Sequence, residues 1–239
     1  MTHSAAAVKE VARLASESFS ASEISRKTAI PRRTIVDWLA GRTPRPPEQV
    51  RVARRLPPGY VYLLGLYLGD GCISSHPRGV FRLRITLDAK YPNIIAECAQ
   101  AIREVLPRNA VACLPRKYGD VEVSCYSKAW PLLFPQHGPG KKHLRPIALA
   151  EWQQELVARN PELLLRGLIQ SDGCRFQNTG SGGWRHPRYS FYNYSHDIRA
   201  IFCAVCDQLE LGWTASKYTV YVSRKADVKQ LDRWVGPKS

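Results

Sequence analysis

Tyr62-Leu63-Leu64-Gly65-Leu66-Tyr67-Leu68-Gly69-Asp70-Gly71 is an apolar run that stops on an acid followed by glycine. Further along, the chain repeats it as Leu164-Leu165-Arg166-Gly167-Leu168-Ile169-Gln170-Ser171-Asp172-Gly173. Aligned on the closing Asp-Gly, the copies agree at Gly65/Gly167, Leu66/Leu168, Asp70/Asp172 and Gly71/Gly173, and a cysteine follows in both, Cys72 and Cys174. Internal repetition of this kind marks a chain built from two like units.

Gly65 and Gly69 lie four apart on one helix face, and Gly167 and Ser171 take the same places in the second copy. Small residues at this spacing let two helix backbones approach more closely than leucine would. Glycine inside a helix costs up to about 1 kcal/mol, so its use there implies a packing reason. The acids are equally unusual, because a helix C-terminus carries partial negative charge and favours Lys or Arg. Gly71 and Gly173 are expected in the left-handed conformation that ends many helices. If the two helices pack side by side, Asp70 and Asp172 meet at one end of the seam. Two carboxylates there repel unless a cation lies between them, and oxygen-only donors suit Mg²⁺.

The paired runs resemble the LAGLIDADG motifs of homing endonucleases, in the two-motif, single-chain form. The resemblance implies an α+β fold: two pseudo-symmetric αββαββα repeats joined along the motif helices, forming a saddle-shaped DNA-binding platform. It also implies that Asp70 and Asp172, matching the last acid of each motif, are the metal-binding catalytic residues, with Gly69 and Ser171 beside them at the metal. Mg²⁺ is the implied cofactor, with Mn²⁺ as a substitute. The family's earlier, non-catalytic acid is replaced by Leu68 and Gln170. The family places a basic residue near each metal, and by position these are Lys141 or Lys142 in the first repeat and Lys238 in the second.

Composition agrees with a nucleic-acid partner. The 239 residues carry 35 Lys and Arg against 20 Asp and Glu, a formal charge of +15, which is the footprint of a polyanion binder. No basic amphipathic helix points to a membrane surface, and the longest apolar run, near 60–69, is too short to span a bilayer. No signal peptide opens the sequence, so an intracellular protein is expected. Seven cysteines without framework spacing suit a reducing compartment, and Cys203 and Cys206 read as helix-borne buried thiols.

Residues 1–44 read as a helix-turn-helix DNA-binding domain. Helices are expected over 5–16, 23–29 and 32–40, with Val8, Val11, Leu14, Ile24, Ile35, Trp38 and Leu39 inward, and Ser20 or Ser22 capping the second. The string resembles the helix-turn-helix of recombinases and transcription regulators, which implies that Arg32, Arg33, Thr34 and Asp37 face the major groove. Residues 45–58 form a basic, proline-rich linker, and Arg42 and Arg45 suit a minor-groove arm. The first repeat spans 59–150: strands at 80–88, 110–116 and 121–126, helices at 91–106 and 127–134. The second spans 151–239: strands at 172–177, 188–194, 213–217 and 219–223, helices at 196–211 and 226–234. Alternation in these strands sends Arg82, Arg84, Arg116, Arg175, Arg188 and Tyr192 toward one DNA groove.

Three activities remain: a metal-dependent double-strand DNA endonuclease acting as a monomer without a small-molecule cofactor, a transcription regulator using the same platform without cutting, and an RNA-splicing maturase. Retention of both acids and both flanking lysines favours the endonuclease. The ends of the sequence lack the nucleophile and His-Asn pair of an intein.

Overall fold

The computed structural model describes residues 5–42, 56–180, 182–236 and 238. The linker arginine Arg45 and most of the expected linker lie outside the described residues. The chain divides into two compact units, Met1–Val50 and Arg51–Ser239.

The first unit is three short helices, α1 (Ala5–Ser16), α2 (Ala21–Thr28) and α3 (Arg32–Leu39), closed over Val11, Leu14, Ile24, Ile30, Ile35 and Trp38. Helix α2 begins two residues earlier than expected because Ser20 is the cap. The Ser20 N–H donates to Glu23 Oε2 at 2.8 Å and Glu23 N–H returns a bond to Ser20 Oγ at 3.4 Å, a capping box. Ala29 takes the left-handed conformation at φ 54° to make the turn, and Ile30 drops into the core behind it. Leu39 was expected inward and is 47% exposed. Ile35 and Trp38, three apart, already occupy the inner face, and Leu39 stands one step round the last turn.

In the second unit, α4 (Gly59–Asp70) is apolar on every side and is accordingly buried from Tyr60 to Leu68. It is followed by β1 (Gly71–His76), β2 (Val80–Asp88), α5 (Pro92–Val105), β3 (Val111–Pro115), β4 (Asp120–Ser127) and α6 (Trp130–Leu133). After a connection, α7 (Glu151–Arg159) leads into α8 (Pro161–Asp172). The order then repeats as β5 (Gly173–Thr179), β6 (Arg185–Tyr192), α9 (His196–Gln208), β7 (Trp213–Ala215), β8 (Thr219–Val222) and α10 (Lys225–Trp234). The two antiparallel four-stranded sheets have the same order, β1-β2-β4-β3 and β5-β6-β8-β7. Each sheet buries one face under a helix. Leu83, Ile85 and Leu87 are buried in the first repeat, as are Ile94, Cys98 and Ile102 of α5, and Tyr189 and Phe191 are buried in the second, as are Ile198 and Phe202 of α9. Phe191 stacks on Phe202 at 4.5 Å between ring centres. The sequence reading missed α7. Its Gln153 is fully buried and gathers the connection between repeats, donating to Tyr60 Oη at 2.7 Å and accepting from Ala150 N–H at 2.9 Å. Among the described residues, no helix is long and apolar enough to cross a membrane.

Candidate active site at the helix seam

Helices α4 and α8 pack against each other through their small residues. A Cβ placed on Gly65 would lie 2.6 Å from Leu164 O, 2.8 Å from Gly167 Cα and 2.8 Å from Leu168 N. One on Gly167 would lie 2.9 Å from Gly65 Cα. The backbones themselves are in contact, as the four-residue spacing of small side chains predicts. Across the seam the Tyr62 hydroxyl donates to Gln170 Oε1 at 2.5 Å, and Gln170 Nε2 donates to Val235 O at 3.4 Å. An amide at 170 satisfies two buried partners that a carboxylate could not both serve.

Both helices end in acids at the same end of the seam. Gly71 and Gly173, expected to be left-handed, are extended instead, at φ −83° and −108°. The glycines are needed for space. A Cβ on Gly71 would lie 2.6 Å from Tyr67 Cα, and one on Gly173 2.8 Å from Ile169 Cα and 2.9 Å from Ser190 O. The chain thus passes from helix to strand without a loop, and each carboxylate sits at that junction. Gly69 and Ser171 fill the space between them: a Cβ on Gly69 would lie 3.0 Å from Asp172 Oδ2.

Asp70 is exposed at the rim, yet the packed helix ends crowd it from behind. That desolvation first, and then the Asp172 charge, push its pKa up to about 6. Burial also raises Asp172, against the pull of a hydrogen bond from Asn193 Nδ2 at 2.7 Å. Two lysines close the site. Lys142 Nζ donates to Gly69 O at 2.7 Å and to Tyr67 O, while Lys238 Nζ donates to Ser171 O at 3.4 Å and to Gly173 O. Burial brings Lys142 down to about 8 and lowers Lys238 too, with both aspartates pulling the other way. The site thus sets two lysines against two aspartates, and each lysine Nζ rests on the carbonyl oxygens of a negative helix end. Lys141 is exposed and outside this cluster.

No family model and no curated protein matches this sequence. Solved structures do. A structure of the homing endonuclease I-DmoI in complex with DNA and Mn superposes with a TM-score of 0.51 at 13% identity, covering 77% of this chain and 99% of that one. Mesophilic variants of I-DmoI give 0.51 at 15%, covering 74% and 88%. The N-terminal LAGLIDADG domain of DUF199/WhiA gives 0.48 at 12%, covering 80% and 86%. The chain has the LAGLIDADG fold.

In this LAGLIDADG fold the face of each sheet away from the helices is open, and strand register decides which side chains reach it. Arg82 stands opposite Ser74 and Tyr126, and Arg84 opposite Cys72 and Ser124, all on the open face of the first sheet. Neither arginine is unengaged. Arg82 Nη2 donates to Glu122 Oε1 at 2.5 Å and Ser124 Oγ at 3.1 Å, and Arg84 lies 3.9 Å from the same carboxylate. Glu122, only 9% exposed, was not singled out from the sequence. Arg188 lies opposite Phe176 on the open face of the second sheet, with its Nε buried and unpartnered among the described residues, and Tyr192, opposite Thr219 and two residues beyond the Ser190 that faces Cys174, lies on that same face. Arg175 is a correction. It stands opposite Tyr189, whose ring is in the core, and so belongs to the helix side, where it pairs with Asp232 of α10 at 2.7 and 3.0 Å. The strand starts at Gly173, so alternation gives the open face to Cys174 and Phe176. Arg116 lies just beyond β3, paired with Asp120 at 3.5 Å. In the first unit Arg32 and Arg33 are exposed, Thr34 is half-buried, and Arg42 pairs with Asp37 at 2.9 Å.

Besides Glu122, two residues at the end of the seam escaped the sequence reading. Asn193 has no counterpart in the first repeat, so repetition did not flag it. Arg145 donates to Gln136 O at 2.9 Å and Gly140 O at 2.8 Å, holding the loop that delivers Lys142. Its only sequence signal was a cation among glycines and prolines.

Proposed function

We propose that this chain is a site-specific double-stranded DNA endonuclease that hydrolyses phosphodiesters with a divalent metal ion. One observation carries the reading: two carboxylates converge where the closest-packed helix pair ends, and each has a lysine ammonium on the adjacent carbonyls. The likeness to I-DmoI, solved with DNA and Mn, supports both the partner and the metal class. The donors fit such an ion, since Asp70 and Asp172 with the carbonyls of Gly69 and Ser171 are hard oxygens, and burial, which raises both carboxyls, is a cost that a bound cation would offset. Asp70, Asp172, Gly69 and Ser171 would hold it, and Mg²⁺ or Mn²⁺ when bound supplies an activated water and stabilises the leaving oxygen.

The chain's own groups do the rest. Asn193 orients Asp172 by donating to its Oδ2. Lys142 and Lys238 set their Nζ groups beside the place where a scissile phosphate must approach the carboxylates. Arg82, Arg84, Arg116, Arg188 and Tyr192 contact the duplex from the open sheet faces. With both motifs in one chain, a monomer carries the whole site.

We assign residues 1–44 as a helix-turn-helix module adding contacts through Arg32, Arg33 and Thr34, ahead of repeats at 59–150 and 151–239. That three-helix unit favours a second reading, a transcription regulator that binds through the same platform without cutting. Incubating supercoiled DNA from the flanks of this gene with the protein and Mg²⁺ or Mn²⁺ at low salt separates the two. The endonuclease linearises it, and Asp70→Asn and Asp172→Asn bind without linearising. Intact DNA under both cations would leave the regulator.

A further inference from the structure

The two repeats treat one position differently. Counted from the motif glycines, Gly71 faces Ile85 on the second strand of the first sheet and Gly173 faces Phe191 on that of the second, so Thr86-Leu87-Asp88 corresponds to Tyr192-Asn193-Tyr194. In the first repeat the flanking pair is Thr86 and Asp88, the latter in an ordinary surface ion pair with Lys90 Nζ at 2.6 Å. In the second it is two tyrosines, 43% and 57% exposed, joined by Tyr218 from the β7–β8 turn. The first repeat shows that the fold requires no aromatic ring there.

The rings lie against one another at 5.3 Å for Tyr192 and Tyr194, 5.1 Å for Tyr194 and Tyr218, and 6.3 Å for Tyr192 and Tyr218. These spacings are already van der Waals contact, so no further ring can slip between them, and a ligand ring must stack on the exposed outer surface of the group, to which Tyr194 contributes most. Cations surround the group: Arg199 stands over Tyr218 at 5.8 Å and Lys217 at 5.1 Å. His143, next to Lys142, approaches Tyr194 at 5.7 Å, and Asn193 between the two tyrosines holds Asp172. An exposed aromatic surface ringed by positive charge beside a carboxylate of the seam is suited to a flat, apolar ring attached to a phosphate chain.

We propose that Tyr192, Tyr194 and Tyr218 form a stacking platform for an unpaired nucleobase next to Asp172, so that the second repeat takes a single-stranded or locally opened stretch of nucleic acid. The proposal rests on nucleic acid being the partner. Base stacking on an exposed aromatic contributes about 1–3 kcal/mol, which is a change in affinity of about 5- to 150-fold.

The test uses the full chain in EDTA with two labelled probes, an oligo-dT of about fifteen nucleotides and a mixed-sequence duplex of equal length. Tyr194→Ala and Tyr194→Leu should each weaken oligo-dT binding about tenfold and leave duplex binding within about twofold, whereas Tyr194→Phe keeps both. A 2-aminopurine in a single strand should be quenched by the wild type and not by Tyr194→Leu, a readout of stacking rather than of charge. If the duplex binds and the variants bind oligo-dT like the wild type, the platform is wrong and the endonuclease reading stands. If the wild type binds neither probe, both are wrong.

Discussion

Gly65→Ala sets two opposing effects against each other at the seam. Alanine is the better helix former by about 1 kcal/mol. The added methyl, however, would lie 2.6–2.8 Å from Leu164 O, Gly167 Cα and Leu168 N, against the 3.4 Å at which ordinary contact begins, so α4 and α8 must separate by 3.4 − 2.8 = 0.6 Å to 3.4 − 2.6 = 0.8 Å. All three neighbours are backbone atoms, so no side chain can rotate away. Overpacking of this kind costs about 1–3 kcal/mol, and separating the helices also loosens the flanking contacts of Leu64, Leu66, Leu165 and Leu168. The loss should win, leaving a net destabilisation of roughly 1–2 kcal/mol. Gly167→Ala should behave alike, and the double variant should lose less than the sum, because helices already parted admit the second methyl more cheaply. Urea denaturation followed by circular dichroism measures all three. A gain of about 1 kcal/mol for Gly65→Ala would mean that propensity acts unopposed and that the backbones do not touch.

Three further outcomes are expected. A carboxyl that ionises near 6 in the folded chain rather than at 3.8 opposes folding once both states are ionised, by up to about 3 kcal/mol before solvent at the rim reduces it to roughly 1. Metal-free Asp70→Asn should therefore be more stable than wild type at pH 8, with the advantage fading as pH falls from about 6 to about 4 and gone below that; an advantage independent of pH in urea melts would count against the charge explanation. Arg188→Ala should weaken duplex binding and shallow its salt dependence by about one counterion, whereas Arg175→Ala should leave that slope alone and cost less than about 1 kcal/mol of stability. Lys142→Met should abolish strand cleavage while Lys141→Met retains it, as scored by plasmid linearisation.

Apart from β1 and α7, the helices and strands of the second unit were readable because local period and burial agree in them. An all-apolar run is a buried helix, and the alternation of Phe81 to Leu87 is a strand with one face covered. The small residues at 65, 69, 167 and 171 foretold the close seam. Three things were harder to see. The conformation of Gly71 and Gly173 depends on what surrounds them, since glycine serves both a left-handed turn and a crowded junction. The side of the sheet taken by Arg175 depends on where β5 starts, and an error of one residue reverses it. Glu122, Asn193 and Arg145 act on partners far away in sequence, and nothing in their immediate neighbours announces them. Choosing Lys142 over Lys141 required knowing the path of the loop held by Arg145.

The contact of backbone on backbone at Gly65 and Gly167 has an evolutionary consequence. A joint made from main-chain atoms asks of each half only that a few positions stay small. It transmits almost no demand to the strands that lead away from it. The two halves of such a chain can drift apart residue by residue and still close on the same axis. One half has come to set an acid among its arginines, and the other to gather tyrosines, with neither change needing an answer across the seam. A protein joined this way is free to match a target whose two sides differ.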